Sequence, residues 1–430
     1  MTPDMTGIVL LLGLFFALMF LRVPIAFALG VSSVVTAWYL NIPTLMIFQR
    51  MVNGVNSFTF LAVPFFIVGG QLMAVGGISD RLIRFADVLV GKLRGGLAMV
   101  NVFASMLFGG ISGSSVADVS SIGSLLIPMM KKQGYDSDYA VAVTITSSVQ
   151  GVIIPPSQNV IYYALAAGGL SIGKLFLAGY IPGIILGISL MFVSYLIAVK
   201  RHYPKGRSYA LSDVINITLD ALIGLFTIVI IMGGVLLGIF TATESAAAAT
   251  VYAVIITVFV YREMPLSAIY TVLRESLRTL SMIVAIIGTS AAFAFLLAYL
   301  KVPAIVTSFL LTISDSKIVI ILLINLLLLV LGMLMDMGVL ILLLTPILLP
   351  VAVKIGIDPI QFGIIMMLNL GIGLCTPPVG TSLFVGCAIA DLPIEKSFKA
   401  LLPFYTVMFC VLLLVSFVPE VSLYLSNFLN

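Results

Sequence analysis

Four short stretches of this sequence interrupt otherwise apolar segments with glycine, proline or hydroxyl residues. Two are tips of small and polar residues, at 108–118 (FGGISGSS, then Asp118) and 332–338 (GMLMDMG). The other two contain a double proline, at 151–159 (GVIIPPSQN) and 373–381 (GLCTPPVGT). Because proline has no backbone N–H and clashes with the preceding turn, each double proline frees carbonyl groups within a helix. Free carbonyl and hydroxyl oxygens are ligands for hard cations such as Na⁺, and helix N-termini attract anions.

These oxygens predict two Na⁺ sites, each built from one tip and the neighbouring proline break. Main-chain carbonyl groups are expected to supply most of the ligands, with some help from hydroxyl groups. The first predicted site comprises Gly110, Ser112, Ser115, Gly151 and Ile154, and the second comprises Gly332, Asp336, Gly373 and Thr376. An anionic solute is expected between the tips, in contact with Ser115, Ser157, Asn159, Asp336 and Thr381.

Two aspartates lie within apolar sequence, which places their carboxylates at membrane depth. Asp118 and Asp336 are therefore candidates for function, since charges inside a membrane are rare and usually functional. The alternative is that each caps the helix that follows its tip. Capping is favoured for Asp118, whereas Asp336 has methionines on both sides and no cluster of Ser or Thr. Glu244 lies in a turn between spans, where an N-cap at Thr243 would explain it structurally.

The composition is that of a helical membrane protein. Of the 430 residues, 61% are hydrophobic and 9% are charged, whereas soluble domains carry about 25% charged residues. The three cysteines lie in apolar segments and the one histidine, His202, lies in a basic loop, so neither a disulfide framework nor a transition-metal site is expected. No nucleotide-binding or catalytic motif is present in the sequence. We therefore expect neither an enzyme nor a protein that uses ATP or binds nucleic acid.

The elements that must position the four stretches are predicted to recur in two halves, 1–205 and 206–430. Each half is expected to hold five spans, one of them broken, and one re-entrant hairpin whose arms are too short to cross the membrane. The hairpins are placed at 97–130 and 318–353, the broken helices at 138–166 and 360–390, and a surface arm helix at 79–94.

A constant spacing supports this repeat. Gly134, Asp136, Gly151 and the double proline at 155–156 all recur 222 positions later. The two aspartates are also paired, because Asp118 has the same spacing to a proline as Asp336, although this pairing requires a four-residue shift. An odd number of spans per half puts the two copies in opposite orientations. Such inverted repeats are typical of secondary transporters, whose sites lie at the repeat interface.

The distribution of Lys and Arg predicts which side each loop faces. If the N-terminus is outside, 16 of the 21 basic residues fall on the inner side and five remain on the outer side. Since inner loops carry the excess of Lys and Arg, we expect both termini outside and the loop 200–207 inside.

The first tip, both proline breaks and two further segments resemble the large membrane subunit of tripartite ATP-independent periplasmic (TRAP) transporters. The resemblance extends over essentially the whole chain. Ala242 stands where that family usually has proline. The resemblance is carried by the segments 21–30 (LRVPIAFALG), 108–115 with Ala117 and Asp118, 153–157 (IIPPS), 238–246 (GIFTATESA) and 376–380 (TPPVG).

This resemblance implies an elevator-type, Na⁺-coupled importer of organic acids, such as sialic acid or a C4-dicarboxylate, in a bacterial inner membrane. It also implies a small four-helix membrane subunit and a soluble periplasmic substrate-binding protein. The sequence starts directly at its first span, so the small subunit is expected to be a separate polypeptide.

Two other functions remain open from the sequence. One is a stand-alone symporter of Na⁺ and divalent anions, whose fold is close to that of the TRAP family and which needs no binding protein. The other is an intramembrane aspartyl protease that uses Asp118 and Asp336. Such proteases need a Gly-x-Gly-Asp motif, and neither aspartate has one, which argues against this activity.

Overall fold

The computed structural model describes residues 4–314 and 316–429. Over these ranges the chain is helical, and its one extended contact is an isolated bridge between Arg94 and Lys205. The remaining positions, 1–3, 315 and 430, lie outside the described residues, and they include both terminal residues whose side of the membrane is predicted above.

Twelve α-helices precede the loop at 201–210, and a 3₁₀ turn, Thr59–Leu61, leads into the fourth of them. They are α1 (Met5–Phe20), α2 (Ile25–Tyr39), α3 (Thr44–Val55), α4 (Ala62–Val75), α5 (Ile78–Val90), α6 (Gly96–Ser112), α7 (Ser115–Asp118), α8 (Ser124–Lys132), α9 (Ser137–Ser147), α10 (Gln150–Ile153), α11 (Gln158–Ala166) and α12 (Ile172–Lys200). A π-helical turn, Val119–Gly123, joins α7 to α8, so positions 115–132 form one continuous helical arm.

Ten α-helices follow that loop within the described ranges, and a π-helical turn, Ile256–Val260, extends the second of them. They are α13 (Leu211–Leu236), α14 (Ala242–Ile255), α15 (Leu266–Tyr299), α16 (Val302–Ile313), α17 (Lys317–Gly332), α18 (Met337–Lys354), α19 (Pro359–Leu374), α20 (Thr381–Ala390), α21 (Ile394–Phe417) and α22 (Glu420–Ser426).

The described residues contain six helices that are long and apolar enough to cross a membrane, or up to eight if two bent pairs each form one span. One pair joins Thr44–Val55 to Thr59–Val75 with a bend of 56°, and the other joins Ser137–Ile153 to Gln158–Ala166 with a bend of 49°. The prediction of an all-helical polytopic membrane protein is confirmed.

Three elements differ from the sequence prediction. The span predicted to begin near residue 281 is part of α15, a 34-residue helix that begins at Leu266. The more polar residues before 281 belong to the same helix. The short helix α16 was not predicted at all. The arm helix at 79–94 ends at Val90 and is not free on the surface, since Arg81 forms ion pairs with Asp220 at 3.0 Å and Glu263 at 2.7 Å.

The hairpin arms are also longer than predicted. Helical structure continues through Gly109 and Gly110 as far as Ser112, so α6 has 17 residues. The chain then turns at Gly113, whose φ of 61° is left-handed and therefore favours glycine. The second hairpin has arms of 16 and 18 residues, α17 and α18. Each tip is consequently only two to four residues long, shorter than the stretch 108–118 predicted from composition.

The boundaries of several helices recur at a spacing of 222 positions. The helix starts Ser115, Ser137 and Ile172 are matched by Met337, Pro359 and Ile394, and the helix end Lys132 is matched by Lys354. This register needs no four-residue shift, and the inverted repeat itself stays a prediction. The register also changes one pairing, because the counterpart of Asp336 is Ser114, and Asp118 lies one turn further inside its helix.

Candidate functional site

The first tip packs tightly against the first proline break. A Cβ atom on Gly109 would lie 2.2 Å from the Cα of Gly151, so the backbones touch at a point that only glycine allows. At the turn itself, a Cβ on Gly113 would lie 2.8 Å from the backbone nitrogen of Gln158. The carboxamide of Asn159 donates a hydrogen bond of 3.0 Å to the carbonyl of Gly113. The structure thus brings the tip and the break together.

Several carbonyl groups at this junction accept no hydrogen bond from another described residue. In the break they are the carbonyls of 153–156, because two of the next residues are prolines and the helix restarts only at Gln158. In the tip they are the carbonyls of 110–112. A Cβ placed on Gly110 would lie 3.1 Å from the carbonyl oxygen of Pro155. One free carbonyl of the break thus lies beside the tip, whereas the carbonyl oxygen of Ile153 lies against Gly179 of α12 and those of 111 and 112 lie near Gly70 of α4.

The second tip packs against the second break in the same manner. A Cβ on Gly373 would lie 2.5 Å from the carbonyl carbon of Gly332 and 2.7 Å from its oxygen. The backbone N–H of Val379 donates to the carbonyl of Met333 at 3.1 Å. This junction is more open than the first, since Val379 and Asp336 are exposed whereas every residue of 151–157 is buried.

Two free carbonyl groups of the second break converge on one point. Gly380 has a φ of 22°, and a Cβ on it would lie 2.7 Å from the carbonyl oxygen of Thr376 and 3.1 Å from that of Leu374. Neither oxygen accepts a hydrogen bond from the described residues. The Thr376 hydroxyl instead donates to the Ile372 carbonyl at 2.7 Å. The missing side chain of Gly380 leaves a cradle lined by carbonyl oxygens, which suits a small hard cation.

The two aspartates have the opposite roles to those favoured from the sequence. Asp336 is the N-cap of α18, and its carboxylate accepts a hydrogen bond of 2.9 Å from the Gly338 N–H. Asp118 caps nothing, because Ser114 is the N-cap of α7. Asp118 is fully buried, and neither of its carboxylate oxygens has a hydrogen-bond partner in the described structure. The two carboxylates therefore form no hydrogen-bonded dyad of the kind an aspartyl protease would use.

Glu244 does belong to a cap, but with a different partner. The N-cap of α14 is Thr241, not Thr243 as predicted, and Glu244 completes a capping box by accepting from the Thr241 N–H at 2.8 Å. The hydroxyl of Thr243 instead donates to the carbonyl of Phe58 at 3.0 Å. The Thr243 bond ties the start of α14 to the chain just before α4.

The hydroxyl groups predicted to bind ligands are placed unequally. The Ser115 hydroxyl is engaged by two other serines, Ser148 at 2.5 Å and Ser382 at 2.7 Å. Ser157 donates to the carbonyl of Val152 at 2.9 Å, within its own break. Thr381 is different, because its hydroxyl is buried and has no partner among the described residues. Thr381 is thus the predicted hydroxyl that is best placed to meet a ligand.

Helix starts from the two halves contact each other around the site. The Ser115–Ser382 bond joins the first turn of α7 to the first turn of α20, two elements from different halves. Conversely, α18 packs on α11, where a Cβ on Gly338 would lie 3.4 Å from the ring of Tyr162. The Tyr162 hydroxyl is buried without a partner. Tyr162 was not among the residues predicted from the sequence. The one feature that could have indicated it is its position, one turn after Gln158 at the start of α11.

From residue 12 to residue 421 the sequence matches the tripartite ATP-independent periplasmic transporter family, DctM component. The chain belongs to this family. Its DctM relatives include the C4-dicarboxylate TRAP transporter large permease protein DctM of Pseudomonas aeruginosa, 41% identical over 373 residues and 87% of each chain. The sialic acid TRAP transporter large permease protein SiaM of Vibrio cholerae is 40% identical over 377 residues and 88% of each chain.

The fold is also found in a solved structure with little sequence similarity to this chain. The YdaH transporter of Alcanivorax borkumensis superimposes with a TM-score of 0.64 at 12% identity, over 86% of this chain and 87% of that one. At this identity the likeness concerns the fold alone. The resemblance to the large TRAP subunit noted from the sequence is confirmed.

Proposed function

We propose that this protein is the permease of a Na⁺-coupled importer for a carboxylated organic solute such as a C4-dicarboxylate or sialic acid. The observation that carries the proposal is the set of free carbonyl oxygens where each tip meets its proline break. Such oxygens form a cage for a hard cation without adding a full negative charge. The chain has no nucleotide-binding motif, so an ion gradient is the energy source that fits this cage.

Each Na⁺ would be held by one tip and one break of the same half. In the first half the carbonyls of Gly110, Ser112 and Ile154 are free to bind the ion. In the second half the free carbonyls of Gly332, Leu374 and Thr376 are available, the last two already converging beside Gly380. Bound Na⁺ would supply positive charge that draws tip and break together. Ser115 is better assigned to the contact between the halves than to the ion.

The solute carboxylate would lie among the helix starts of α7, α11, α18 and α20. Free N–H groups at helix starts stabilise a negative charge. Thr381 and Tyr162 offer hydroxyl groups that lack partners, so they can donate to the carboxylate or to a solute hydroxyl. The Asp336 carboxylate would repel an anionic solute unless Asp336 accepts a hydrogen bond from a donor group of that solute. We therefore assign Asp336 to a hydroxyl or amide group of the solute.

The complete system would have two further components, consistent with the tripartite description of the family. These are a small four-helix membrane subunit on a separate chain and a soluble periplasmic binding protein that delivers the solute. The permease would lie in the bacterial inner membrane with both termini in the periplasm. We further propose that the two halves are inverted repeats and that hairpins and broken helices move together in an elevator mechanism.

The decisive experiment is uptake into proteoliposomes that contain this chain together with its small subunit. Radiolabelled succinate and sialic acid would be offered with candidate binding proteins, under an inward Na⁺ gradient or an equal K⁺ gradient. We expect accumulation only with Na⁺ and a binding protein. Accumulation by this chain alone under a Na⁺ gradient would favour the stand-alone symporter, and accumulation that is equal with K⁺ would overturn Na⁺ coupling.

A further inference from the structure

A polar contact lies below each of the two glycine contacts, four positions before the glycine of the proline break. Asn369 precedes Gly373 by four positions and shares a face of α19 with it. Ser147 likewise precedes Gly151 by four positions, but it is the last residue of α9, and Gly151 lies in α10 after the turn at 148–149. Ser147 and Asn369 are also 222 positions apart. Both are completely buried in apolar helices, α9 and α19.

In the second half the contact is a bond between two carboxamides. Asn369 Nδ2 donates to Asn325 Oδ1 at 2.9 Å, which joins the broken helix α19 to the hairpin arm α17. Asn325 in turn donates to the hydroxyl of Ser416 on α21 at 3.0 Å. Asn325 is only 4% exposed. The hairpin is thus hydrogen-bonded to the broken helix deep within the protein, below the tip.

In the first half, smaller side chains make the corresponding contact. Ser147 donates to the hydroxyl of Ser105 at 3.1 Å, and Ser105 precedes Gly109 by four positions. Asn101 Nδ2 donates to the Thr144 hydroxyl at 2.6 Å, one turn further down. All four side chains are fully buried. These bonds join the hairpin arm α6 to the broken helix α9.

The glycine contacts and the polar contacts do different physical work. A pair of glycines lets two backbones touch, but a smooth surface does not determine how far one helix slides along the other. A buried hydrogen bond has a narrow range of length and angle, so it does determine that position. Removing one partner would leave the other unsatisfied in an apolar interior, which strengthens the constraint.

We propose that Asn325 and Asn369 are positioning residues for the second Na⁺ site, and that Asn101 and Ser147 serve the first site in the same way. Each site takes its oxygens from two separate elements, a tip and a break. The hydrogen bond below the glycine contact holds those elements at the relative depth that brings their carbonyls within reach of one ion. The inference rests on the Na⁺ coupling proposed above and adds the residues that tune its affinity.

The test replaces the carboxamide pair with apolar side chains of similar size, Asn325→Leu together with Asn369→Leu. No polar partner is then left unsatisfied within the pair. We expect the Na⁺ concentration for half-maximal uptake to rise about threefold to tenfold, the range of one interhelical hydrogen bond in a membrane. Uptake at saturating Na⁺ and the solute KM measured there should return close to wild type.

A second variant keeps a polar side chain at position 369, so the test does not depend on the apolar pair alone. Asn369→Ser installs the residue found at the related position of the first half, and its shorter side chain cannot reach Asn325 in the same way. It should also raise the Na⁺ concentration for half-maximal uptake, by a smaller factor than the double variant. Na⁺-dependent thermal stabilisation of the detergent-purified protein, measured on the same variants, should need correspondingly more Na⁺.

Gln361→Leu is the matched control, because it removes a buried hydrogen bond of α19 that does not involve the hairpin. Gln361 Nε2 donates to the carbonyl of Val415 at 3.0 Å. This variant should lose thermal stability while keeping the wild-type Na⁺ requirement. An unchanged Na⁺ requirement in the asparagine variants, or an equal rise in Gln361→Leu, overturns the inference while Na⁺ coupling stands. If wild-type uptake itself ignores Na⁺, the proposed function falls and takes this inference with it.

Discussion

The backbone N–H of Val379 donates to the carbonyl of Met333 at 3.1 Å, so the residue after the second double proline is bonded to the tip of the second hairpin. The first half has a related bond, in which Asn159 donates to Gly113 at 3.0 Å. In both halves the chain that leaves the break is thus tied to the tip. A movement of either hairpin would carry the adjacent break with it, which is what joint binding of an ion requires.

Asp336→Asn should reduce transport at least tenfold, about 1.4 kcal/mol or more of transition-state stabilisation. Asparagine also caps helices well, so α18 should remain intact while the negative charge is lost. Uptake and thermal stability would be measured together. The matched control is Asp358→Asn, since Asp358 caps α19 through a 2.7 Å bond to the Ile360 N–H. Equal, near-wild-type uptake in both variants would mean that Asp336 is only a cap.

Gly380→Ala should weaken Na⁺ binding at the second site. The new methyl group would lie 2.7 Å from the Thr376 carbonyl oxygen and would fill the cradle. We expect the Na⁺ dependence of uptake to shift to higher concentration or uptake to disappear. Gly134→Ala is the control, because Gly134 also has a positive φ, of 84°, but nothing lies within 4 Å of its added Cβ. A normal Na⁺ dependence in Gly380→Ala would exclude the cradle as an ion site.

Single cysteines should report the predicted sidedness in membranes. The background would carry Cys410→Ser, since Cys410 is the exposed cysteine of the described chain. Ser208 and Asn427 are both exposed, and we expect a cysteine at 208 to be labelled from the cytoplasm and one at 427 from the periplasm. An impermeant maleimide added to spheroplasts and to inverted vesicles makes the comparison. Labelling of both positions from one side would contradict the topology.

Acidification should remove one stabilising contact of the loop between α8 and α9. The Tyr203 hydroxyl donates to Asp136 at 2.6 Å and Arg201 pairs with it at 2.8 Å, and these contacts lower the pKa of Asp136 below its ordinary 3.8. Their contribution is complete above the ordinary pKa and is lost as the pH falls through the lowered one. Because Asp136 is exposed, we expect these contacts to contribute at most about 1 kcal/mol to the free energy of unfolding.

The measurement for that contact is the thermal midpoint of wild type and Asp136→Asn in detergent from pH 7 to pH 3. The variant should be the less stable protein at pH 7, and the two midpoints should approach each other towards pH 3. A constant difference across this range would show that the charge of Asp136 contributes nothing.

The sequence alone determined the class of protein and the positions of its irregular segments. Continuous apolar runs require helices in a membrane, and the double prolines at 155–156 and 377–378 interrupt a helix wherever it lies, because proline lacks the N–H. The recurrence of residues at a spacing of 222 positions and the family motifs can be found in the amino-acid sequence directly. These local constraints act within a few residues, so no tertiary structure was needed to find them.

The tertiary structure decided which partner each polar group takes. Ser115 and Ser382 are 267 positions apart and share a hydrogen bond, which no local pattern could indicate. The roles of Asp118 and Asp336 were reversed because capping depends on where the helix begins, and α7 begins at Ser115, three residues before Asp118. Asn325 and Asn369 are unremarkable letters within apolar helices. Only the parallel packing of α17 against α19 brings the two carboxamides together and makes them one buried contact.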